Sequence, residues 1–279
     1  MLMADSAFPD LLGHFLRRSG PFRGKGRLAL FWIGRRNAGD KRIRVLPGGG
    51  EILCDLSIPY EAMVWLEHEE EEELGTLARL LKPGQVFVDC GANIGIWSLV
   101  AASTVGEKGR VYAFEPNPAT CEKLANNVSR GGWKNIRVVP AAVGGRDGEA
   151  HFRCEAAHNV SRTVERPGEA TIPVPMMTLD SVLGRERISG CKIDVEGNEL
   201  DVLRGAERLI GDMRPWFCVE FNTLLTRTRT LGEWNVHRYL RERGYAAHRF
   251  PDALNAARRT ALPDTWQTTG YCNLYYTTV

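Results

Sequence analysis

Val86-Phe87-Val88-Asp89-Cys90-Gly91-Ala92-Asn93-Ile94-Gly95 is the stretch whose reading decides the fold. Pro83-Gly84 punctuates before it, and the apolar residues 86–90 form a short run typical of a buried strand. The run leads directly into a loop with glycines at 91 and 95, and residues 94–103 then carry helical character. Glycine permits the sharp reversal and lets a ligand approach the backbone closely. A helix beginning there presents free N–H groups to an anionic group. Asp89, at the strand tip, is placed to accept a cationic amino group, and Gly91, Ala92, Asn93 and Gly95 line the turn.

The next strand, residues 111–115, ends on Glu115-Pro116-Asn117. An acid at the end of the second strand, about 20 residues beyond the glycine loop, accepts hydrogen bonds from ribose hydroxyls. The ligand is not read as a dinucleotide. The spacing is D-x-G-x-N-x-G rather than G-x-G-x-x-G, and Asp89 would face a pyrophosphate. A zwitterionic amino-acid tail suits an acid beside a helix N-terminus better. The chain also has no G-x-x-x-x-G-K-[ST] loop, which disfavours a nucleoside triphosphatase.

Strand and helix patterns continue to alternate outward from this stretch. Strands are read at 136–140, 191–195, 216–221, 245–250 and 271–277, with helices at 118–130, 199–210 and 234–243. Short apolar strands alternating with amphipathic helices predict a doubly wound α/β fold with a mainly parallel sheet. Residues 144–180, rich in glycine and proline, break the rhythm and read as an antiparallel insertion. Residues 1–66 are expected to form an N-terminal extension contacting substrate or another subunit, and residues 67–279 the main domain. Within the extension, 7–18 reads as an amphipathic helix with Phe8, Leu11, Leu12, Phe15 and Leu16 on one face. The basic stretch 20–41 either binds an acidic group or is a solvated loop. The acidic run 67–73 reads as the start of a helix reaching Leu81.

Composition narrows the partners. The 279-residue chain is 43% hydrophobic and 25% charged with a net charge of +2, which gives no electrostatic case for duplex DNA. Seven cysteines, widely spaced and without a C-x-x-C, argue against a disulfide framework or a zinc site and for a reducing, cytoplasmic setting. No apolar run approaches the roughly 18 residues that cross a bilayer, so neither membrane nor nucleic acid is expected as a partner. Phe22, Phe31 and Trp32 leave two packings open, on a second copy in a homodimer or on the chain's own core.

Four runs together resemble the FkbM-type methyltransferases: PGQVFVDCGANIGIWSL at 83–99, GRVYAFEPNP at 109–118, TLDSVL at 178–183 and CKIDVEGNELDVLRGAERLI at 191–210. The resemblance implies a class I methyltransferase fold, Rossmann-like, with seven strands and an antiparallel last strand. It also implies S-adenosyl-L-methionine as cofactor and methylation, commonly of hydroxyl oxygens on sugars or natural products. Carried over by position, Asp89, Gly91, Ala92, Asn93 and Gly95 would hold the methionine part and Glu115 the ribose. Pro116, Asn117 and the 141–143 stretch, including Ala142, would border the adenosine. Many class I enzymes carry an acid after the third strand, and here Val139-Pro140-Ala141-Ala142-Val143 has none. Adenine is then expected to be held by backbone groups and apolar contact.

Lys192, Asp194 and Glu196 alternate along a strand that should be apolar on both faces, so all three are expected on one side. Buried charges are costly unless paired or functional. Methyl transfer to a hydroxyl needs in-line positioning and a base. Asp194 and Glu196 are the candidates for that work, with a structural ion pair to Lys192 or a plain cofactor contact by Asp194 as alternatives. Glu220 and Asn222 end the next strand and are candidate substrate contacts, His158 in the insertion is a further candidate base, and Glu72 or Glu73 is placed to reach the cofactor amino group. Magnesium held by Asp194, Glu220 and Asn222 is a weaker reading, and no metal is expected. N- or C-methylation of a natural product and noncatalytic cofactor binding remain the rivals to O-methylation of a small molecule.

Overall fold

The computed structural model of the chain describes residues 7–19, 25–36, 39–67, 70–153, 162–164, 171–254 and 260–279. In chain order its helices are α1 (Ala7–Arg18), α2 (Lys25–Ile33), α3 (Pro59–Trp65), α4 (Glu71–Leu80), α5 (Ile96–Val105), α6 (Pro118–Arg130), α7 (Leu179–Leu183), α8 (Glu199–Arg204), α9 (Thr223–Thr226) and α10 (Asn235–Glu242). The strands are β1 (Lys41–Val45), β2 (Glu51–Asp55), β3 (Val86–Cys90), β4 (Arg110–Phe114), β5 (Ile136–Val139), β6 (Ala142–Val143), β7 (Gly148–Arg153), β8 (Arg162–Val164), β9 (Thr171–Met177), β10 (Gly190–Ile193), β11 (Trp216–Asn222), β12 (Tyr245–Arg249) and β13 (Tyr271–Thr278).

The central sheet has the order β12-β13-β11-β10-β3-β4-β5. β3, β4, β5, β10 and β11 pair in parallel, whereas β13 lies antiparallel to both β11 and β12. This is the seven-stranded class I methyltransferase arrangement with the reversed last strand. The chain runs outward from β3 through β4 to β5 and then returns to β10 on the other side of β3. The carboxyl ends of β3 and β10 therefore flank the point where strand order reverses, and ligands of open α/β sheets bind there. Phe87, Val88 and Cys90 of β3 and Cys191 and Ile193 of β10 are buried, as strands covered on both faces require. α5 is buried almost all round, from Ile96 to Val105, because it lies between the sheet and the N-terminal elements.

The N-terminal segment shares its core with the sheet. Leu16, Trp32, Trp65 and Ile52 belong to one apolar cluster with Phe87, Trp97 and Tyr275. Trp32 stacks on Trp65 with centroids 5.5 Å apart. β1 and β2 form a hairpin whose turn places Gly48 and Gly49 at positive φ. The loop reading of 20–41 is corrected in part: residues 25–33 form α2, with Ala29, Trp32 and Ile33 buried. Of the two packings open for Trp32, the chain's own core is the one it takes. α1 differs from its expected single apolar face, since Leu16 is buried and Leu12 half-buried while Leu11 and Phe15 stand exposed. Two further corrections concern ends. α8 stops at Gly205 before a π-turn at Leu209–Met213, and β10 stops at Ile193, one residue short of Asp194. In the 144–180 region, β7 pairs antiparallel with β8 and β9, and β9 pairs in parallel with β6.

Candidate active site

A cleft of about 480 Å³ opens at the carboxyl ends of the parallel strands. Gly91, Ala92 and Asn93 form its floor after β3. Glu115, Pro116 and Asn117 stand at the end of β4, and Asp194, Val195 and Glu196 follow β10. Glu220 and Asn222 of β11 complete the wall, and 141–143 covers the side toward β5. Five separate segments of the chain are thus drawn to one concavity because parallel strands all release their loops at the same edge.

Glu115 ties two of these segments together. Its Oε2 accepts from the Asn93 amide and its Oε1 from the Asn117 amide, both at 2.9 Å. Burial pushes its carboxyl up to about 7, against those two bonds. Gly91 has φ +83°, and a Cβ there would lie 1.8 Å from the Asp194 carbonyl oxygen, so only glycine fits between β3 and the chain leaving β10. Of the six non-glycine residues in the left-handed region among the described residues, three line the cleft: Glu70, Asn93 and Glu196, with φ of 56°, 51° and 57°. Such backbone strain concentrates where a site holds side chains in place.

The other half of the cleft is organised around a buried cation. Lys192 lies opposite Asp89 in the β10–β3 register. Its Nζ donates to Asp194 Oδ2 at 2.8 Å and sits 5.1 Å from the Trp97 ring centre. Burial by itself would lower the lysine's pKa, but Asp194, Glu70 and Asp89 outweigh it and hold the ammonium charged well above its ordinary range. Glu70 accepts from Trp97 Nε1 at 2.9 Å, and burial raises its carboxyl to about 7. Glu220 is raised further, by burial and then by the negative charges of Asp194 and Glu196. Its Oε2 is buried with no hydrogen-bond partner among the described residues.

Most of the expected residues meet here, and some do not. Asp89 is wholly buried under the loop rather than on the cleft surface. Its Oδ2 accepts from Ser98 Oγ at 2.6 Å, and its Oδ1 has no hydrogen-bond partner among the described residues. Gly95, the N-cap of α5 at φ +102°, also lies behind the surface, where a Cβ would meet Leu124. Glu196 follows the strand in a left-handed turn, so it reaches the cleft by a loop and not by strand alternation with Lys192. From the acidic run, Glu70 and not Glu72 or Glu73 lines the cleft, because α4 begins only at Glu71 and leaves Glu70 in the approach to it. His158 lies outside the described residues. Tyr60, Trp97, Lys192 and Tyr271 are lining residues that residue-by-residue reading did not single out for ligand contact. Among the described residues no group of three or more His, Cys, Asp or Glu side chains is placed to hold a metal ion.

The family model for the FkbM methyltransferase domain matches residues 89–247, more than half of the chain. The chain belongs to the FkbM methyltransferase family. The hexuronic acid methyltransferase AglP of Haloferax volcanii is 29% identical over 147 residues, which is 49% of this chain and 56% of that protein. The ribosomal RNA large subunit methyltransferase E of Bdellovibrio bacteriovorus is 46% identical over 57 residues, 20% of this chain and 29% of that protein. The chain thus spans about half or less of these relatives' length. Among solved structures, the FkbM methyltransferase of Methylobacillus flagellatus superposes with a TM-score of 0.46 and 18% identity over 77% of this chain and 54% of that one.

S-adenosylmethionine is the cofactor of this family and fold, and the residues of the cleft fit it. An unpartnered carboxylate oxygen of Asp89 lies under the glycine loop, suited to a cationic ammonium or a water bound to one. Glu115 sits where ribose hydroxyls would donate, and the 141–143 wall supplies apolar surface for a flat base. The volume is within the roughly 300–1,000 Å³ usual for cofactor sites.

Proposed function

We propose that this FkbM-family protein transfers a methyl group from S-adenosylmethionine to a hydroxyl oxygen of a small molecule such as a sugar or natural product. The observation that carries this reading is the single cleft in which Glu115 grips the glycine loop at one end and carboxylates surround Lys192 at the other. The bound cofactor supplies an electrophilic methyl on a sulfonium centre. Everything else falls to the chain. The 91–93 loop, backed from beneath by Asp89, and Glu115 hold the donor, while Tyr60, Trp97 and Tyr271 supply aromatic surface for an acceptor ring.

Deprotonating a hydroxyl in line with the methyl requires a base within hydrogen-bond reach. His14, His151, His237 and His248 do not line the cleft, so among the described residues the role falls to a carboxylate. Closely spaced carboxylates cannot all ionise, and one keeps a proton. Glu220 keeps it here, on the strength of its burial and its two acidic neighbours, and donates a hydrogen bond to the acceptor. Asp194 is held by Lys192 and orients the acceptor oxygen, and Glu196, in the cleft wall after β10, takes its proton. The similarity to a hexuronic acid methyltransferase supports hydroxylated sugars as the first acceptors to screen.

The test is incubation of the protein with labelled S-adenosylmethionine and a panel of sugars, uronic acids and polyols, with label followed into product. O-methyl product from a panel member, lost in Glu196→Gln while cofactor affinity is kept, supports the reading. Label transferred to nitrogen or carbon acceptors, or full activity in Glu196→Gln, refutes the corresponding step.

A further inference from the structure

α1 and α2 pack on one another and rest on the core through Leu16, Ala29, Trp32 and Ile33. Their outward sides are apolar and basic. On α1, Leu11 is 67% exposed and Phe15 56%, one turn apart, with Arg18 next along that side. On α2, Leu30 is 63% exposed and Phe31 51%, and at 100° per residue Arg27 falls between them. The Arg35 guanidinium stacks 3.4 Å from the Phe31 ring centre. Residues 11–36 contain seven lysines and arginines and no aspartate or glutamate. The chain as a whole is +2, so everything outside this stretch sums to −5. The balanced total conceals a strongly cationic segment.

We propose that the outward side of the α1–α2 pair docks on the surface of an anionic lipid bilayer. Large aliphatic and aromatic side chains left in water beside arginines are what an interfacial helix uses. The apolar groups enter the headgroup boundary, and the cations pair with lipid phosphates. No helix among the described residues is long and apolar enough to cross a membrane, so contact is peripheral. The proposal departs from the expectation that no membrane is a partner. An isologous dimer through this face would oppose like charges, and an RNA surface gains nothing from exposed Leu11 and Leu30. The surface is joined to the site. Trp32 stacks on Trp65 of α3, and α3 also carries Tyr60, which lines the cleft. Docking would hold the acceptor end of the cleft at a fixed relation to the bilayer. The inference does not depend on the atom methylated.

The test is co-sedimentation of the full chain with vesicles of phosphatidylcholine alone or mixed with phosphatidylglycerol. The protein is expected to pellet with the mixed vesicles, to remain soluble with the neutral ones, and to be released by added salt. Arg18→Gln with Arg27→Gln should lower partitioning about 30-fold, and Leu11→Ser with Leu30→Ser by at least about tenfold. All four side chains face solvent, so the melting temperature should stay within a degree or two of the parent, roughly as for other surface changes. Absence of binding, equal binding to neutral vesicles, or binding that survives both double variants would overturn the proposal. Two other results would overturn it by naming a different occupant. One is tight binding of single-stranded RNA, lost with the arginines and indifferent to Leu11 and Leu30. The other is a dimer in solution, abolished by Leu11→Ser with Leu30→Ser, that does not bind vesicles.

Discussion

Replacing Lys192 with methionine removes, among the described residues, the one cation lining the cleft beside its carboxylates, while keeping most of the side-chain volume. At the 2.8 Å separation of Lys192 Nζ and Asp194 Oδ2, and an effective dielectric near 20, the pair attraction is about 6 kcal/mol. Desolvation of the buried ammonium offsets much of this, and deleting one partner of a buried pair typically costs about 3–5 kcal/mol. The magnitude depends on pH in a direction that can be worked out. Lys192 is held charged above its ordinary range in the folded protein, so its contribution is complete throughout pH 5–8. Asp89 and Glu70, already raised by burial, lose the cation that lowers them and move further above their unfolded pKa values. A group raised in this way costs nothing below its unfolded pKa, and its penalty grows as pH rises toward the folded value. The variant should therefore lose about 3 kcal/mol at pH 8, or roughly 6–12 °C in melting temperature for a chain of this size. The loss should shrink to about 1 kcal/mol near pH 5.5, where the orphaned carboxyls take protons. Thermal and urea unfolding of both proteins at the two pH values measures this. Equal stability at pH 8, or a gap that does not change with pH, would refute the account of Lys192 as the counter-charge of the cleft.

Three further outcomes follow from particular contacts. Burial pushes the Glu115 carboxyl up to about 7, and in the proposed cofactor site ribose hydroxyls would donate to its ionised form. Cofactor affinity should therefore rise severalfold from pH 6 to 8, and Glu115→Gln should weaken it about 10–100-fold and remove that slope. Calorimetric titration at both pH values decides it. Gly91→Ala places a Cβ 1.8 Å from the Asp194 carbonyl at φ +83°. At least about 3 kcal/mol of stability should be lost, since the left-handed backbone alone costs about 1–2 and β10 must also move. Unchanged urea unfolding would mean that the loop has another conformation. Trp32→Ala empties a buried site stacked on Trp65 and should cost about 3–5 kcal/mol by denaturation. An exposed-loop cost of under about 0.5 kcal/mol would show that the N-terminal segment is not part of the core.

The glycine loop and the two strand-end acids were legible because their chemistry is local. A strand, a turn and a helix N-terminus are contiguous in the chain, and Gly91 and Glu115 hold their places by backbone contacts that a short motif encodes. The Lys192–Asp194 pair was legible as an alternative for the same reason, since the two are two residues apart. Glu70 and Trp97 were not. Their contact joins residues 27 apart in sequence across the seam between α4 and α5, and nothing in a run of glutamates says which one faces inward. That choice falls to the residue before the helix begins. Asp89 shows the opposite failure. Its position at the strand tip is as read, but Ser98 on α5 draws its carboxylate beneath the surface.

The sequence by itself determined the alternation of strands and helices, the turn at 91–95 and the family, because each rests on periodicity, backbone freedom or a contiguous motif. The tertiary structure alone decided which carboxylates share one cation, which aromatic residues wall the cleft, and which side of α1 and α2 is left in water. These depend on how distant elements cover one another. Burial, charge pairing and exposure are properties of neighbours in space, and the order β12-β13-β11-β10-β3-β4-β5 sets those neighbours across a hundred or more residues of chain.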